Sequence, residues 1–171
     1  EIAGMLATLG VASLDALVEY HNMYFILLGG DEPERVATGV VSWDYFQTLG
    51  VKPLLGRTFS EKETRRAQYN NAAAPIGPDP VAVMSYPLWQ RRFGADPGIV
   101  GRTVMLERRS FRIVGVMPEG FLSIPPADVW TPLRLSKQDN SVNYVMLARL
   151  APGATLQQAA TLLDLVKADL L

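Results

Sequence analysis

The sequence predicts an α+β domain, and three of its features lead to this class. Apolar residues make up 49% and charged residues 19% of the 171 positions, a balance typical of globular proteins. Short runs rich in valine and aromatic residues alternate with runs whose apolar residues recur three or four positions apart. Glycine and proline stand at many of the boundaries between these runs. A chain of this length is expected to form one domain, with room for two small lobes.

The first part of the chain is predicted to supply packed core and then two strands. Residues 2–18 are the most apolar stretch, but glycines and an aspartate interrupt it before it reaches the roughly 20 apolar residues that a membrane span needs. The runs "HNMYFILLGG" at 21–30 and "ERVATGVVS" at 34–42 predict strands, with Pro33 in the turn between them. The chain has no basic leader and begins at Glu1 without methionine, so we expect a piece of a longer protein.

A short helix is predicted after the second strand. Ser42 suits its N-cap, and Gly50 suits the position just past its end. The apolar face of this helix would consist of Trp43, Phe46 and Leu49, which follow one another at intervals of three.

The next segments alternate between irregular and regular structure. Residues 51–64 predict extended chain that ends in a polar turn. Residues 65–80 are rich in proline and asparagine and predict a loop. The run "VAVMS" at 81–85 predicts a short buried strand.

A second helix is predicted from 86 to 93, because both of its ends carry boundary signals. Ser85 suits the N-cap, Pro87 falls in the first turn, where proline is tolerated, and Gly94 suits a left-handed stop. The side of this helix that docks on a sheet would consist of Leu88, Trp89 and Phe93.

The following part of the chain is predicted to be mostly strands. Gly98 and Gly101 would lead into a hairpin formed by "RTVML" and "SFRIVGVM", joined by a tight polar turn at 107–109. Apolar and polar positions alternate in this hairpin, which favours strands with one buried face. Further strands are predicted at 129–133 and 143–150.

The last predicted element is a helix that begins with a capping box. Thr155 suits the N-cap, and Gln158, three residues later, suits the reciprocal position. The buried stripe of the helix would consist of Leu156, Ala160, Leu163, Val166 and Leu170.

Residues suited to catalysis or metal binding are scarce. The absence of cysteine excludes disulfides, thiolate nucleophiles and thiolate zinc sites. His21 is the only histidine, so no multi-histidine metal site can form within one chain, and we interpret it as an ordinary residue at the end of an element. The sequence contains neither a P-loop nor a G-x-G-x-x-G motif. We therefore predict no catalytic residue, no cofactor and no metal.

Charged residues form one basic and two acidic groups. The net charge of −1 gives the chain as a whole no bias towards nucleic acid. The aromatics beside the basic group fall on predicted buried faces, so we interpret that group as a solvated face or as a rim for protein contacts with ion pairs. The acidic groups lie in predicted turns. They could bind a hard cation or act as an acid–base pair, but we interpret them as carboxylates exposed to solvent. The basic residues are Arg91, Arg92, Arg102, Arg108, Arg109 and Arg112, and the acidic ones are Asp31, Glu32 and Glu34, then Glu61 and Glu63.

Several motifs, in order, resemble the periplasmic core domain of MacB-type ABC transporter permeases. The closing "RLAPGATLQQAATLL" resembles the last strand and helix of that family, and "SYPLWQRRFG" is similar to the large duplicated permeases of acidobacteria. The hairpin turn "LERRSF" departs from the glycine-containing turn of many members. The main matching blocks are "VSWDYFQTLGVKPLLGRTF" at 41–59, "VAVMS" at 81–85, "LWQRRFG" at 88–94, "DPGIVGRT" at 96–103 and "IVGVMP" at 113–118.

The resemblance implies a non-catalytic domain of an export permease at the periplasmic face of the bacterial inner membrane. A porter-like α/β lobe would comprise 1–94 and 136–171, with a smaller β-rich lobe, 95–135, inserted in it. The domain would relay movement driven by cytoplasmic ATP hydrolysis. Its implied partners are its own transmembrane helices, a cytoplasmic ATPase subunit or domain, and a periplasmic adaptor or second permease copy, but no nucleic acid. The joint between the lobes would contain Trp89, Phe93, Gly94, Gly98 and Gly101.

Two other functions are compatible with these residues. An autonomous small-molecule-binding α+β domain would have a cleft between the lobes, lined by the loop at 65–80. An enzyme would require His21 to approach a serine or a pair of carboxylates. We take the permease domain as the leading interpretation and the small-molecule-binding domain as the alternative.

Overall fold

A computed structural model describes residues 14–29, 32–64, 68–69, 75–76, 79–133 and 145–169. The chain forms two compact units. The first comprises Glu1–Val18 and Met146–Leu171, and the second comprises Glu19–Val145. The lobes predicted at 1–94 with 136–171 and at 95–135 divide the chain at other points, and they stay a prediction.

Strands and helices together account for most of the described residues, which confirms the α+β class. Ten strands and three helices are described, together with 3₁₀ turns at Glu61–Thr64 and Pro97–Ile99. The strands are β1 (Leu14–Leu28), β2 (Glu34–Val41), β3 (Leu55–Gly56), β4 (Gln68–Tyr69), β5 (Pro75–Ile76), β6 (Val81–Met84), β7 (Thr103–Leu106), β8 (Arg109–Val116), β9 (Val129–Pro132) and β10 (Val145–Leu150). The helices are α1 (Tyr45–Thr48), α2 (Tyr86–Phe93) and α3 (Leu156–Asp169).

Six strands in the second unit pair in a closed ring. β1 pairs with β2, β2 with β9, β9 with β6, β6 with β8, β8 with β7, and β7 pairs again with β1. The β2–β9 and β6–β8 pairs are parallel, and the others are antiparallel. The ring closes where Leu27 of β1 meets Leu106 of β7, and the amide of Ile26 donates to the Glu107 carboxylate at 2.7 Å beside this contact. The six strands therefore form a small mixed β-barrel.

One face of each strand points into the barrel. Phe25 lies opposite Val36, and Val104 lies opposite Phe111, so inward residues alternate with outward ones along each strand. At the end where β6 finishes, the interior is filled by apolar side chains, and α2 joins them because it follows β6 directly. The buried cluster to which they belong consists of Leu27, Val36, Ala82, Met84, Val104, Leu106, Ile113, Val116 and Val129, with Leu88, Trp89 and Ile99 from the α2 segment.

An aromatic cluster packs on the outward face of the barrel. The ring of Trp130 lies 5.4 Å from that of Phe46 and 5.5 Å from that of Phe121, and Phe46 also contacts Phe59 at 5.9 Å. Gly39 is the register partner of Trp130, and a Cβ on this glycine would come within 2.7 Å of the indole. Close packing of the indole on β2 therefore requires glycine at this position.

The strand and helix predictions for the central part of the chain are confirmed. The predictions at 34–42, 81–85 and 129–133 correspond to β2, β6 and β9, and the helix predicted at 86–93 is α2. Ser85 Oγ accepts from the Leu88 amide as the N-cap of this helix. Within the loop predicted at 65–80, the described residues include β4 and β5, which pair with each other. Residues 2–13 of the predicted core lie outside the described residues.

The helix after β2 is shorter than predicted and begins later. Its N-cap position is Asp44, without a side-chain capping bond. Ser42 is not the N-cap: its hydroxyl accepts from the Glu19 amide at 3.2 Å, and its own amide donates to the Glu19 carbonyl at 2.9 Å. Ser42 therefore extends the pairing of β1 with β2. Because the helix has only one turn, Leu49 of the predicted apolar face falls outside it and is exposed.

The predicted hairpin of β7 and β8 is confirmed, with a two-residue turn. Glu107 and Arg108 have φ values of 49° and 62°, the left-handed values that a type I′ turn needs at both central positions. Arg109 pairs with Leu106, so it begins β8 and does not belong to the turn. This register places Arg109 on the same inward face as Phe111.

The first unit contains the first residues of β1, nearly all of β10, and α3. β10 pairs with β1, and an ion pair at 2.8 Å joins Arg149 to Asp15. The capping box of α3 is confirmed, since the Thr155 amide donates to Gln158 Oε1 at 2.9 Å and the Gln158 amide donates to Thr155 Oγ1 at 3.3 Å. None of the helices in the described ranges is both long and apolar enough to cross a membrane.

The buried stripe predicted for α3 is wrong where the structure describes it. Leu156 and Ala160 are exposed, and Ala159 is buried instead. In this part of the helix the buried position therefore lies one residue before the predicted Ala160. The side chains of Leu163, Val166 and Leu170 lie outside the described residues.

Candidate binding cleft

The described residues leave the barrel open at the end where β6 begins. A cleft of about 290 Å³ lies there, with walls from β1, β2, β6, β8 and β9. Ligand sites are common in the mouths of β-barrels, because the interior-facing side chains at that end leave space instead of filling it. The apolar lining consists of Met23, Phe25, Val40, Pro80, Val81, Phe111, Pro132 and Leu133, and the polar lining consists of His21, Arg109 and Thr131.

His21, Val40 and Thr131 lie in one row across three neighbouring strands. His21 pairs with Val40, and Val40 pairs with Thr131. The interpretation of His21 as an element-end residue is wrong, because β1 begins at Leu14 and continues to Leu28. Long-range pairing with β2 holds the chain extended on both sides of this histidine.

Two further polar groups give the cleft a chemical character. Thr131 is only 5% exposed, and within the described part of the chain its hydroxyl has no hydrogen-bond partner. Arg109 is exposed at the start of β8 and forms no ion pair with any residue that the structure describes. Phe111 and Phe25, whose rings lie 6.4 Å apart, form an aromatic wall beside it.

This arrangement is suited to binding a small molecule. In the described ranges, no group of three or more His, Cys, Asp or Glu side chains is placed to hold a metal ion. The cleft instead combines a mostly apolar surface with one cation and one buried hydroxyl. Such a lining can hold an apolar molecule and orient it through a few polar contacts.

Trp89 and Phe93, two of the residues predicted for the joint, hold α2 against the core of the second unit. Trp89 is 7% exposed, and its indole N–H donates to the carbonyl of Asp96 at 2.9 Å. Phe93 is half-buried and packs against the core cluster. The docking predicted for this helix is therefore confirmed, whereas its role between lobes stays a prediction.

The three glycines predicted for the joint lie between α2 and β7. Gly94 ends α2 in the left-handed conformation, with φ of 59°, as predicted. The Gly98 amide donates to the Asp96 carboxylate at 2.8 Å, and the Gly101 amide donates to the carbonyl of Ile113 at 2.7 Å. These hydrogen bonds fix the conformation of the segment that joins α2 to β7.

Arg91 in the basic group forms ion pairs with two carboxylates that the sequence did not identify as its partners. Arg91 Nη2 lies 2.7 Å from Glu34 Oε1 and 3.0 Å from Asp128 Oδ1. Burial opposes the charge of Arg91, but the hydrogen bonds and charges of the two carboxylates outweigh it, so the pKa of Arg91 is raised. Asp128 also accepts from the Ala37 amide at 3.1 Å, which makes it a structural residue that sequence reasoning missed.

The acidic residues of the two predicted groups have different surroundings. Glu34 pairs with Arg91, Glu61 is exposed, and Asp31 lies outside the described residues. The interpretation as a solvated carboxylate is wrong for Glu63, which is 6% exposed. Its partner is Arg57, the residue directly after β3, so the pair becomes recognisable only once the chain has folded back.

A family model described as MacB-like periplasmic core domain matches residues 4–165. The chain belongs to this family. Among curated proteins none matches it significantly. The MacB-like domain is thus an extracytoplasmic domain of an ABC transporter permease, as the motifs implied.

Solved structures of related transporters share the fold of this MacB-like domain. It is similar to the periplasmic region of MacB from Actinobacillus actinomycetemcomitans, at 17% identity and a TM-score of 0.69, over 98% of this chain and 73% of that one. It is also similar to the extracellular domain of the noncanonical ABC-type transporter YknZ from Gram-positive bacteria. In that case the identity is 16% and the TM-score 0.63, over 94% of this chain and 74% of that one.

Proposed function

We propose that this MacB-like domain relays movement driven by cytoplasmic ATP hydrolysis to partners or exported substrate, without catalysing a reaction itself. The observation that carries the proposal is the closed ring of six strands in the second unit. One continuous core fills one end of this ring. A closed, densely packed ring resists internal deformation, so it transmits a displacement applied to it as a whole.

The proposed partners are the permease's own transmembrane helices, a cytoplasmic ATPase, and a periplasmic adaptor or second permease copy. An exposed apolar loop supports contact with a protein. Leu122 and Ile124 are 79% and 77% exposed, while Ser123 between them is buried and donates to the Pro125 carbonyl at 2.8 Å. Large apolar side chains that an anchored loop presents to solvent are typical of contact surfaces.

A fluorescence experiment on the full-length permease with its ATPase tests the relay. Because these 171 residues contain no cysteine, one introduced cysteine labels one site in the domain. Arg108→Cys and Glu119→Cys provide exposed positions in the second unit. With acceptor lipids in the surrounding bilayer, we expect energy transfer from at least one position to change between the nucleotide-free and vanadate-trapped states.

An ATPase-inactive variant of the partner serves as the control and should show no change. The domain has no relay function if both positions keep the same transfer efficiency while the transporter hydrolyses ATP. Exposed loops can move on their own, so a third label at Lys52, on the same unit, checks that the change is shared.

A second candidate function is small-molecule binding by the domain, and the cleft at the open end of the barrel favours it. Its volume and its mostly apolar lining suit a small organic molecule. Saturable one-to-one binding that Val40→Phe abolishes would support this candidate, because the larger side chain occupies the cleft.

A further inference from the structure

The cleft at the open end of the barrel differs from an ordinary apolar cavity in its charge. Arg109 lines it from the inward face of β8, and among the described lining side chains none is acidic. Apart from His21, Thr131 and Arg109, the described lining residues are apolar. A ligand that satisfies this surface has an apolar body and an anionic group, because a guanidinium binds carboxylates and phosphates strongly.

The shape of the site limits the size of such a ligand. Strands of the closed ring surround the cleft, and its volume is about 290 Å³. This space suits a single acyl chain or a small aromatic body and is too small for the two chains of a bilayer phospholipid. The buried hydroxyl of Thr131, which has no partner in the described part of the chain, can form a hydrogen bond to a polar atom of the ligand.

We propose that the open end of the barrel binds a dissolved anionic amphiphile, with its apolar body in the cleft and its carboxylate or phosphate beside Arg109. This inference rests on the small-molecule candidate above and specifies its ligand class. In a permease domain, such a site would hold an amphiphilic molecule on the outer side of the membrane.

The test measures binding of dodecanoate to the 171-residue chain by isothermal titration calorimetry, below the concentration at which micelles form. Dodecanol and dodecylammonium serve as neutral and cationic probes of the same chain length. We expect saturable one-to-one binding of dodecanoate, about three- to tenfold tighter than that of dodecanol, and the weakest binding for dodecylammonium.

Two arginines on the same strand provide a matched pair of variants. Arg109→Gln should weaken dodecanoate binding about three- to tenfold and leave dodecanol binding unchanged. Arg112→Gln removes the same charge from the outward face of β8 and should change neither. Val40→Phe should abolish binding of both probes. Circular dichroism verifies its fold, and Thr131→Ile is the milder blocking variant if Val40→Phe does not fold.

Each other outcome overturns a defined part of the proposal. Equal affinity for dodecanoate and dodecanol, or equal effects of Arg109→Gln and Arg112→Gln, overturns the anionic class and leaves the small-molecule candidate standing. Binding that neither blocking variant reduces overturns the site. If the chain binds phosphatidylglycerol vesicles and dodecanoate does not compete, the ligand is a membrane surface and the proposal is wrong. If no probe binds, the inference and the small-molecule candidate fail together, whereas the relay is tested separately by energy transfer.

Discussion

Arg57 and Glu63 form a two-bond ion pair, with Nη2 2.7 Å from Oε1 and Nη1 3.1 Å from Oε2. The Glu63 side chain is 8% exposed, whereas that of Arg57 is 51% exposed. Oε2 also accepts from the amide of Ser60 at 2.8 Å. One carboxylate thus joins the chain just after β3 to the start of the 3₁₀ turn, and it holds this segment against the barrel's β8 through β3.

Glu63→Gln should destabilise the domain, and the decrease in its unfolding free energy should depend on pH. We expect a decrease of about 1–2 kcal/mol in unfolding free energy at pH 7, modest because Arg57 is half exposed. Burial acts to raise the pKa of Glu63, but hydrogen bonds from Arg57 and Ser60 and the charge of Arg57 outweigh it, so the pKa is lowered. The charged form therefore stabilises the fold above the pKa of the unfolded chain, and this contribution is lost as the pH falls through the folded pKa.

Urea unfolding between pH 3 and pH 7 measures this effect. The difference between wild type and Glu63→Gln should shrink below about pH 4.3, the ordinary pKa of a glutamate. Glu61→Gln changes an exposed carboxylate in the same turn and should stay within about 0.5 kcal/mol of wild type. A pH-independent difference would show that the charge of Glu63 is not what stabilises this turn.

Gly115→Ala should be strongly destabilising, because β3 passes directly over Gly115. A Cβ at this position would overlap the carbonyl oxygen of Arg57, which is main chain and cannot rotate away. We expect a loss of at least about 3 kcal/mol in thermal or chemical unfolding. Gly50→Ala is the comparison: it has φ of 70° but open space around it, so its cost should be about 1 kcal/mol. Equal costs for the two variants would contradict this explanation.

Truncation of Trp89 should separate its packing from its hydrogen bond. Trp89→Ala is expected to cost about 3–5 kcal/mol, because the side chain is buried in the core cluster. Trp89→Phe keeps an aromatic ring but loses the bond to the Asp96 carbonyl, so it should cost less. Gln90→Ala, on the exposed side of α2, is the control and should be nearly neutral. A small loss for Trp89→Ala would mean that α2 does not depend on this side chain for docking.

Asp128 should contribute more to stability than Glu34, although both bind Arg91. Asp128→Ala removes the ion pair and also the acceptor of the Ala37 amide, so we expect a cost of about 1–2 kcal/mol. Glu34→Ala removes only a partly exposed ion pair and should cost less than about 1 kcal/mol, with a smaller effect in high salt. If both variants lose a similar amount of stability and respond equally to salt, the hydrogen bond from the Ala37 amide to Asp128 does not contribute to stability.

Sequence reasoning succeeded where a few neighbouring residues decide the structure. Ser85, Pro87 and Gly94 set both ends of α2, and Thr155 with Gln158 begins α3. It failed at Ser42, which resembles an N-cap locally. The amide and carbonyl of Glu19, 23 positions away in the sequence, bind it instead.

The binding cleft could not have been located from the same signals. The predicted cleft would be lined by the loop at 65–80, and among the described residues of that stretch Pro80 lines the cleft of the barrel. His21, Val40 and Thr131 each look ordinary in their own stretch. They become one row only through the register of three strands.

The sequence by itself determined the α+β class, the ends of α2, the β7–β8 hairpin and the family, because these follow from contacts within a turn or from ordered motifs. The tertiary structure alone decided the closure of the barrel, the cleft at its open end and the burial of Glu63. Closure joins Ile26 to Glu107, which are 81 positions apart. Backbone pairing uses the same amide and carbonyl groups at every residue, so no side-chain pattern in either strand specifies its partner.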